Sequence, residues 1–283
     1  MTELRQRLTG LAGICLMLGA CASDGSKQQS QAAEANPQPV SLYPATEPYP
    51  ATFERLDQAR QQAIEEDKLL LLVMGADWCH DSRGFVHKLE DPAMATLVEE
   101  RYQVLLVNVG YLEYIRGVVD RYDVPVIYGT PTVLVIEPVT NTLLNGNSLP
   151  YWRNADSISM ADTMTYFEGY RPGQRLPDAP AAGPALAAAL QAIDNFEDQQ
   201  AQRIYLAYAE LGDIMQGMNP NKPSAEFLEK WKNLGQMRSQ ITEDLSNLRS
   251  EARAQAAAGI DPIKLQYPHY ALFIDDTAAT GGD

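Results

Sequence analysis

Residues 68–83, Lys-Leu-Leu-Leu-Leu-Val-Met-Gly-Ala-Asp-Trp-Cys-His-Asp-Ser-Arg, constrain the fold more than any other stretch. The apolar run 68–74 is short and ends at a turn, which is typical of a buried strand rather than a helix. Cys79 follows this turn, where a segment with helical character begins. We therefore expect a strand, a corner and a helix, with Cys79 on the first turn of that helix. Free N–H groups and the helix dipole favour a thiolate at such a position.

Strands and helices alternate along the chain around this corner. Apolar runs predict further strands at residues 104–109, 132–136 and 142–144, the last after a turn. Helical patterns cover residues 51–66, 79–89, 92–102, 112–121 and 158–169. This order predicts an α/β layer with parallel pairing that ends in a hairpin of strands.

A different organisation is expected in the second half of the chain. Residues 173–183 are rich in Pro, Gly and Ala and indicate a linker. Two long helical patterns within residues 184–258 predict an antiparallel helical hairpin, followed by a tail at 259–283 whose aromatic part, 267–273, should pack back. An apolar stripe marks the second helix and indicates either helix–helix core or a partner surface; it consists of Phe227, Trp231, Leu234 and Leu245.

The N-terminus has the features of an export signal. Arg5 and Arg7 precede the apolar stretch 11–18, which is too short to span a bilayer. The sequence Leu-Gly-Ala that follows, ending directly before Cys21, resembles the lipobox of bacterial lipoproteins. That resemblance implies a signal peptide at 1–20, lipid attachment at Cys21 and, with Ala22 next to it, an outer-membrane location facing the periplasm. The segment 21–50 is rich in Ser, Gln, Ala and Pro, which predicts a flexible tether. The alternative is an ordinary signal peptide with an incidental cysteine.

Charge and cysteine content narrow the classes of function. A net charge of −15 argues against a nucleic-acid partner, because phosphates need compensating basic side chains. The chain has 3 cysteines, and removal of the signal and acylation of Cys21 would leave Cys79 as the one free thiol. Outside the cytoplasm, such a leftover cysteine is either paired between molecules or reactive.

Residues 51–172 resemble a thioredoxin-fold domain of exported bacterial proteins. The resemblance is carried by Gly-Ala-Asp-Trp-Cys at 75–79 after a strand, and by Thr130-Pro131 before a later strand. It implies that Cys79 is the attacking thiol, that Trp78 flanks it, and that Pro131 follows a cis peptide bond. The Thr130 backbone would then bind an extended substrate peptide.

Two positions depart from the thioredoxin pattern. Ser82 stands where a second cysteine would complete Cys-x-x-Cys, and Val73 stands where thioredoxins have a buried acid. A lone thiolate can form a mixed disulfide but cannot release itself intramolecularly. The expected activities are therefore isomerisation, thiol exchange or transient capture of cysteine-containing envelope proteins. Ser82 either supports the thiolate by a hydrogen bond or is an ordinary helix residue.

Other interpretations of the same residues stay open at this point. Cys79 is either a reactive thiol or a small apolar core residue, and His80 is either a cation near it or exposed and idle. Cys79 with His80 or His87 lacks a full set of metal ligands. No organic cofactor is implied. The rival to a monothiol exchange protein is a non-catalytic binding or scaffold module on a degenerate thioredoxin fold.

Overall fold

The structure is a computed structural model that describes residues 41–113, 116–177, 182–219 and 222–274. Four strands form one sheet: β1 (Leu69–Gly75), β2 (Tyr102–Asn108), β3 (Thr132–Glu137) and β4 (Thr142–Leu143). The α-helices are α1 (Tyr49–Glu65), α2 (His80–Glu90), α3 (Pro92–Arg101), α4 (Arg116–Val119), α5 (Met160–Glu168), α6 (Pro184–Gly217) and α7 (Ala225–Ala257).

The sheet has the strand order β2-β1-β3-β4. β1 pairs in parallel with β2 and antiparallel with β3, and β3 and β4 form the expected antiparallel pair. Helices cover both faces of this mixed sheet, which confirms the α/β thioredoxin-like fold followed by a helical hairpin. Every residue of β1 is buried, as an apolar run in a central strand requires.

Alternate residues of β1 enter two different hydrophobic clusters. Leu69, Leu71 and Val73 face a cluster with helices α2, α3 and α5. Leu70 and Leu72 face the opposite cluster, which contains α1 and also residues from both long helices. The hairpin is therefore part of the main core rather than a separate body.

Polar contacts join the hairpin to the loop before β3. Tyr208 on α6 donates its hydroxyl hydrogen to the Ile127 carbonyl at 2.5 Å. Tyr128 donates to Glu197 Oε1 at 2.9 Å.

The apolar stripe of α7 belongs to the helix–helix core, which was the simpler of the two interpretations. Phe227, Leu234 and Leu245 are buried, and Trp231 packs against the same cluster.

The C-terminal end of the predicted tether differs from the expectation. Residues 41–48 lie against the domain, and Tyr43 is only 3% exposed. Asp77 Oδ1 accepts the Leu42 N–H at 2.9 Å, and Asn108 donates to the Pro44 carbonyl at 2.8 Å. The prediction of a flexible tether is therefore wrong for residues 41–48. Their composition gave no sign of these hydrogen bonds, because the partners Asp77 and Asn108 lie far along the chain.

Some predicted elements also differ in length. The helix expected at 112–121 is represented by the short α4 and a 3-10 turn, Asp120–Tyr122. A run of 3-10 turns not anticipated from the sequence spans Gly146–Ser157 and buries Trp152. The aromatic tail packs back as expected, with Tyr270 buried and its carbonyl accepting from Arg203 at 2.8 Å.

The predicted signal peptide at 1–20 and the lipid-attachment residue Cys21 lie outside the described residues. Within the described part of the chain, none of the helices combines the length and the apolar character that a membrane crossing demands.

Candidate thiol site

Cys79 lies at the corner between β1 and α2. It is the N-cap residue of α2, with extended dihedrals, so the helix itself begins one residue later, at His80. The Cys79 N–H donates to the Ala76 carbonyl at 3.0 Å, and the Cys79 carbonyl accepts from Arg83 N–H at 3.1 Å. The turn thus holds the thiol at the N-terminal end of α2, where the helix dipole favours negative charge. The side chain is partly exposed, and Cys79 is free of any disulfide.

The loop before β3 faces this thiol. The Thr130–Pro131 peptide bond is cis, which confirms the expectation from the thioredoxin resemblance. Cys79 Sγ donates to the Thr130 carbonyl at 3.2 Å. The Thr132 hydroxyl donates to the Gly129 carbonyl at 2.8 Å and holds the loop closed behind them. The fold therefore brings Cys79 and Thr130 into contact across 51 residues of sequence.

Trp78 flanks the thiol, as expected, and is fixed on two sides. Its Nε1 donates to the Gly110 carbonyl at 2.7 Å. Its ring makes a T-shaped contact with Trp231 from α7, with ring centroids 6.0 Å apart and an interplanar angle of 84°. Trp231 in turn stacks on Phe227. An aromatic contact therefore joins the hairpin to the residue beside the thiol.

Ser82 lies one turn into α2 and is fully buried. Its hydroxyl has no hydrogen-bond partner among the described residues, so the anticipated bond to the Cys79 thiolate is not formed in this structure. The Tyr43 hydroxyl lies close by and donates to the Ser82 carbonyl at 3.4 Å. Burial raises the pKa of the Tyr43 phenol, which keeps it neutral beside the site.

The other polar residues of the motif are engaged away from the thiol. His80 is exposed, and its Nε2 lies 3.3 Å from Asp156 Oδ2. Arg83 donates to the Asp77 carbonyl at 2.5 Å. His87 pairs with Glu90 on the same helix. Across the residues described by the structure, no three His, Cys, Asp or Glu side chains form a group that could hold a metal ion.

An open cavity of about 330 Å³ contains the thiol. One wall is built by Trp78, Cys79 and Thr130 from the sheet domain. The opposite wall is built by α7, through Trp231 and Arg238. The hairpin therefore contributes directly to the surroundings of Cys79.

Sequence reasoning did not find two basic residues of this cavity, Arg153 and Arg238. Arg153 N–H donates to the Arg238 carbonyl at 3.3 Å, although the two residues are 85 positions apart. The side chain of Arg153 also covers Gly129, where an added Cβ would lie 2.6 Å from Arg153 Cγ. No local pattern marks either arginine, because their association depends on how the hairpin docks.

A larger cavity of the described molecule lies elsewhere. It measures about 650 Å³ and is lined by Tyr128, Glu197 and Arg249, between the loop before β3 and the hairpin. It contains no cysteine. The smaller cavity at Cys79 is the better candidate site because it combines a partly exposed thiol with a shaped opening.

Comparisons with known proteins add little to this picture. No model of a known protein family matches the chain. No curated protein matches it either. Among solved structures, it is similar to a disulfide isomerase from Xylella fastidiosa Temecula1, with 22% sequence identity and a TM-score of 0.37. The match covers 41% of this chain and 88% of that one. A likeness at this level does not identify a reaction.

Proposed function

We propose that the protein performs thiol–disulfide exchange through Cys79, acting on cysteine-containing proteins of the bacterial cell envelope. One observation carries the proposal: a partly exposed thiol at the start of α2 contacts the Thr130 carbonyl beside cis-Pro131, inside an open cavity. A buried structural cysteine needs neither an opening nor a helix N-terminus.

The reaction is a simple exchange. The Cys79 thiolate attacks one sulfur of a substrate disulfide, a new disulfide forms to Cys79, and the other substrate sulfur leaves as a thiolate and takes up a proton. Release requires a second thiol, from the substrate or from solution, to attack the mixed disulfide and regenerate Cys79. When the substrate supplies that thiol, its disulfides are rearranged with no net oxidation or reduction.

Ser82 determines which outcomes are open to the mixed disulfide. It stands where a resolving thiol would lie, and a hydroxyl cannot displace a thiolate from a disulfide. The intermediate with a protein substrate therefore persists until an external or substrate thiol arrives. Isomerisation and transient capture follow from the same chemistry and differ in how soon that thiol reacts.

The location forms part of the proposal. The lipobox-like residues before Cys21 support lipid attachment and an outer-membrane anchor facing the periplasm, where disulfide-containing substrates occur. Fractionation of cells that express a Cys21→Ala variant tests this. The variant should leave the membrane fraction, and a variant that remains there would contradict the anchor.

Reactivation of ribonuclease with scrambled disulfides tests the exchange itself. In the presence of a small thiol, the wild-type protein should raise the reactivation rate, and the Cys79→Ser variant should not. The variant keeps every other cysteine and differs by one atom, so it is a matched control. Equal rates for the two proteins would overturn the proposal.

A non-catalytic binding module is the second candidate, and the position of α7 favours it. The edge contact of Trp231 with Trp78, and the place of Trp231 in the cavity lining, put α7 beside Cys79. If this protein binds partners without exchange, Cys79→Ser should leave partner binding unchanged. Loss of capture in that variant, with its fold intact, would exclude the binding module.

A further inference from the structure

Two arginines line the cavity that contains the thiol. Arg153 lies in the run of 3-10 turns after β4, and Arg238 lies on α7; both line the same cavity of about 330 Å³ as Cys79. Within the described parts of the chain, neither has a carboxylate oxygen within 4.0 Å. By contrast, Arg249 on the same helix pairs with both Asp194 and Glu197.

The two arginines are held by neutral groups instead. Arg153 Nε donates to the Pro150 carbonyl at 3.3 Å, and a second N–H of Arg153 donates to the Arg238 carbonyl. Arg238 donates to the Tyr208 hydroxyl at 3.1 Å, while its Nε is buried and has no partner in the described structure. These contacts orient the groups without neutralising them.

This lack of anionic partners is local. The chain has 37 acidic and 22 basic residues, so carboxylates are abundant elsewhere. Asp81 also lines the cavity, but its Oδ1 accepts the Asp156 N–H at 3.1 Å. Burial, and then the nearby charge of Arg238, lower the pKa of Arg153. An anion bound between the two guanidinium groups would offset both effects.

We propose that the cavity selects disulfides that carry a carboxylate near the reacting sulfur, with the carboxylate bound by Arg153 and Arg238. The proposal rests on exchange at Cys79 and adds the substrate class. Guanidinium groups suit carboxylates because their N–H donors match the geometry of the two oxygens. The shared chemistry is an acidic disulfide, whose source is either a small molecule or a protein cysteine with an acidic neighbour.

The exchange needs no added oxidant or reductant. Cys79 attacks the sulfur of the half-disulfide that bears the carboxylate, the original S–S bond breaks, and the other half departs as a thiol after gaining a proton. One disulfide is consumed and one is formed. The arginines position the substrate and take no part in bond making.

Three disulfides of similar size test the selection: 3,3′-dithiodipropionate, bis(2-hydroxyethyl) disulfide and cystamine, which are anionic, neutral and cationic. The rate of mixed-disulfide formation at Cys79 is measured by peptide mass spectrometry. Each rate is divided by the rate at which the same disulfide reacts with a small uncharged thiol. The anionic compound should react about tenfold faster than the neutral one on this normalised scale, as one charge-assisted contact predicts.

Arg238→Gln should remove most of this preference, and Arg238→Lys should retain part of it. Arg175→Gln, at an exposed arginine away from the cavity, makes the same charge change and should retain the preference in full. Wild-type protein offers a test without mutation, because added salt should reduce the anionic preference as screening increases.

The outcomes separate the two proposals. If none of the disulfides reacts with folded protein, exchange at Cys79 is wrong. If all three react with equal normalised rates, or if Arg238→Gln and Arg175→Gln behave alike, exchange stands and the anionic selection is overturned.

A second pair of probes distinguishes the source of the acidic disulfide. Symmetric peptide disulfides with Glu or Gln next to cysteine are compared in the same way. A preference for the Glu peptide supports a protein substrate. A preference limited to dithiodipropionate supports a small-molecule disulfide.

Discussion

Ser82 and Cys79 are separated by one helical turn, yet their surroundings differ. Cys79 is partly exposed at the cavity, whereas Ser82 is fully buried with an unpaired hydroxyl. Leaving such a hydroxyl without a partner costs about 1–3 kcal/mol. This position therefore tolerates a less polar side chain of similar size, which makes it suitable for testing what the missing second thiol determines.

Ser82→Cys should convert a persistent intermediate into a transient one. In this variant the new thiol would attack the mixed disulfide at Cys79, release the substrate and leave an internal disulfide. Peptide mass spectrometry of the mixed disulfide over time measures its lifetime, and Ser82→Ala is the control for the loss of the hydroxyl alone. An unchanged lifetime in Ser82→Cys would show that this position does not control release.

The sequence was most informative at the scale of single residues within one motif. The apolar run before Gly75 and the Trp-Cys pair after it were enough to place the thiol at a strand–helix corner, and the family resemblance supplied the cis bond at Pro131. The sequence did not reveal that Tyr43 and Arg238 lie near the site. Their contacts depend on tertiary docking, for which short-range periodicity contains no signal.

At the scale of elements, α6 and α7 do more than form a hairpin. Gly212 on α6 lies so close to the loop after β2 that an added Cβ would be 2.3 Å from the Tyr111 carbonyl. Tyr208, one turn earlier, connects α6 to the Ile127 carbonyl and accepts a hydrogen bond from Arg238. The hairpin thereby fixes the loop that ends at cis-Pro131.

Tyr208→Phe should weaken this connection. It removes the donor to a buried carbonyl, and we expect the free energy of unfolding to fall by about 1–3 kcal/mol. Tyr205→Phe is the matched control on the same helix, since the buried Tyr205 hydroxyl has no partner among the described residues. It should leave stability unchanged or slightly raised. Urea unfolding monitored by circular dichroism measures both, and equal losses would contradict the assigned role of Tyr208.

At the scale of the whole molecule, the sequence divides into a thiol domain and a helical hairpin, but in the fold the two share one hydrophobic core. Composition indicates a linker at 173–183, and two long helices follow it. One hydrophobic cluster nevertheless contains residues of β1, α1, α6 and α7. The docking could not be read from the sequence, because an apolar stripe on α7 predicts a buried face without saying which element covers it.

The reactivity of Cys79 in the folded protein is the most direct test of this account. The second-order rate constant with bis(2-hydroxyethyl) disulfide is measured at Cys79 by peptide mapping, once in buffer and once in urea that unfolds the chain. We predict a faster reaction in the folded protein, because the fold holds the sulfur at the positive end of the α2 dipole and the cavity admits the disulfide. Reaction only after unfolding would contradict the account and make Cys79 an inert part of a binding module.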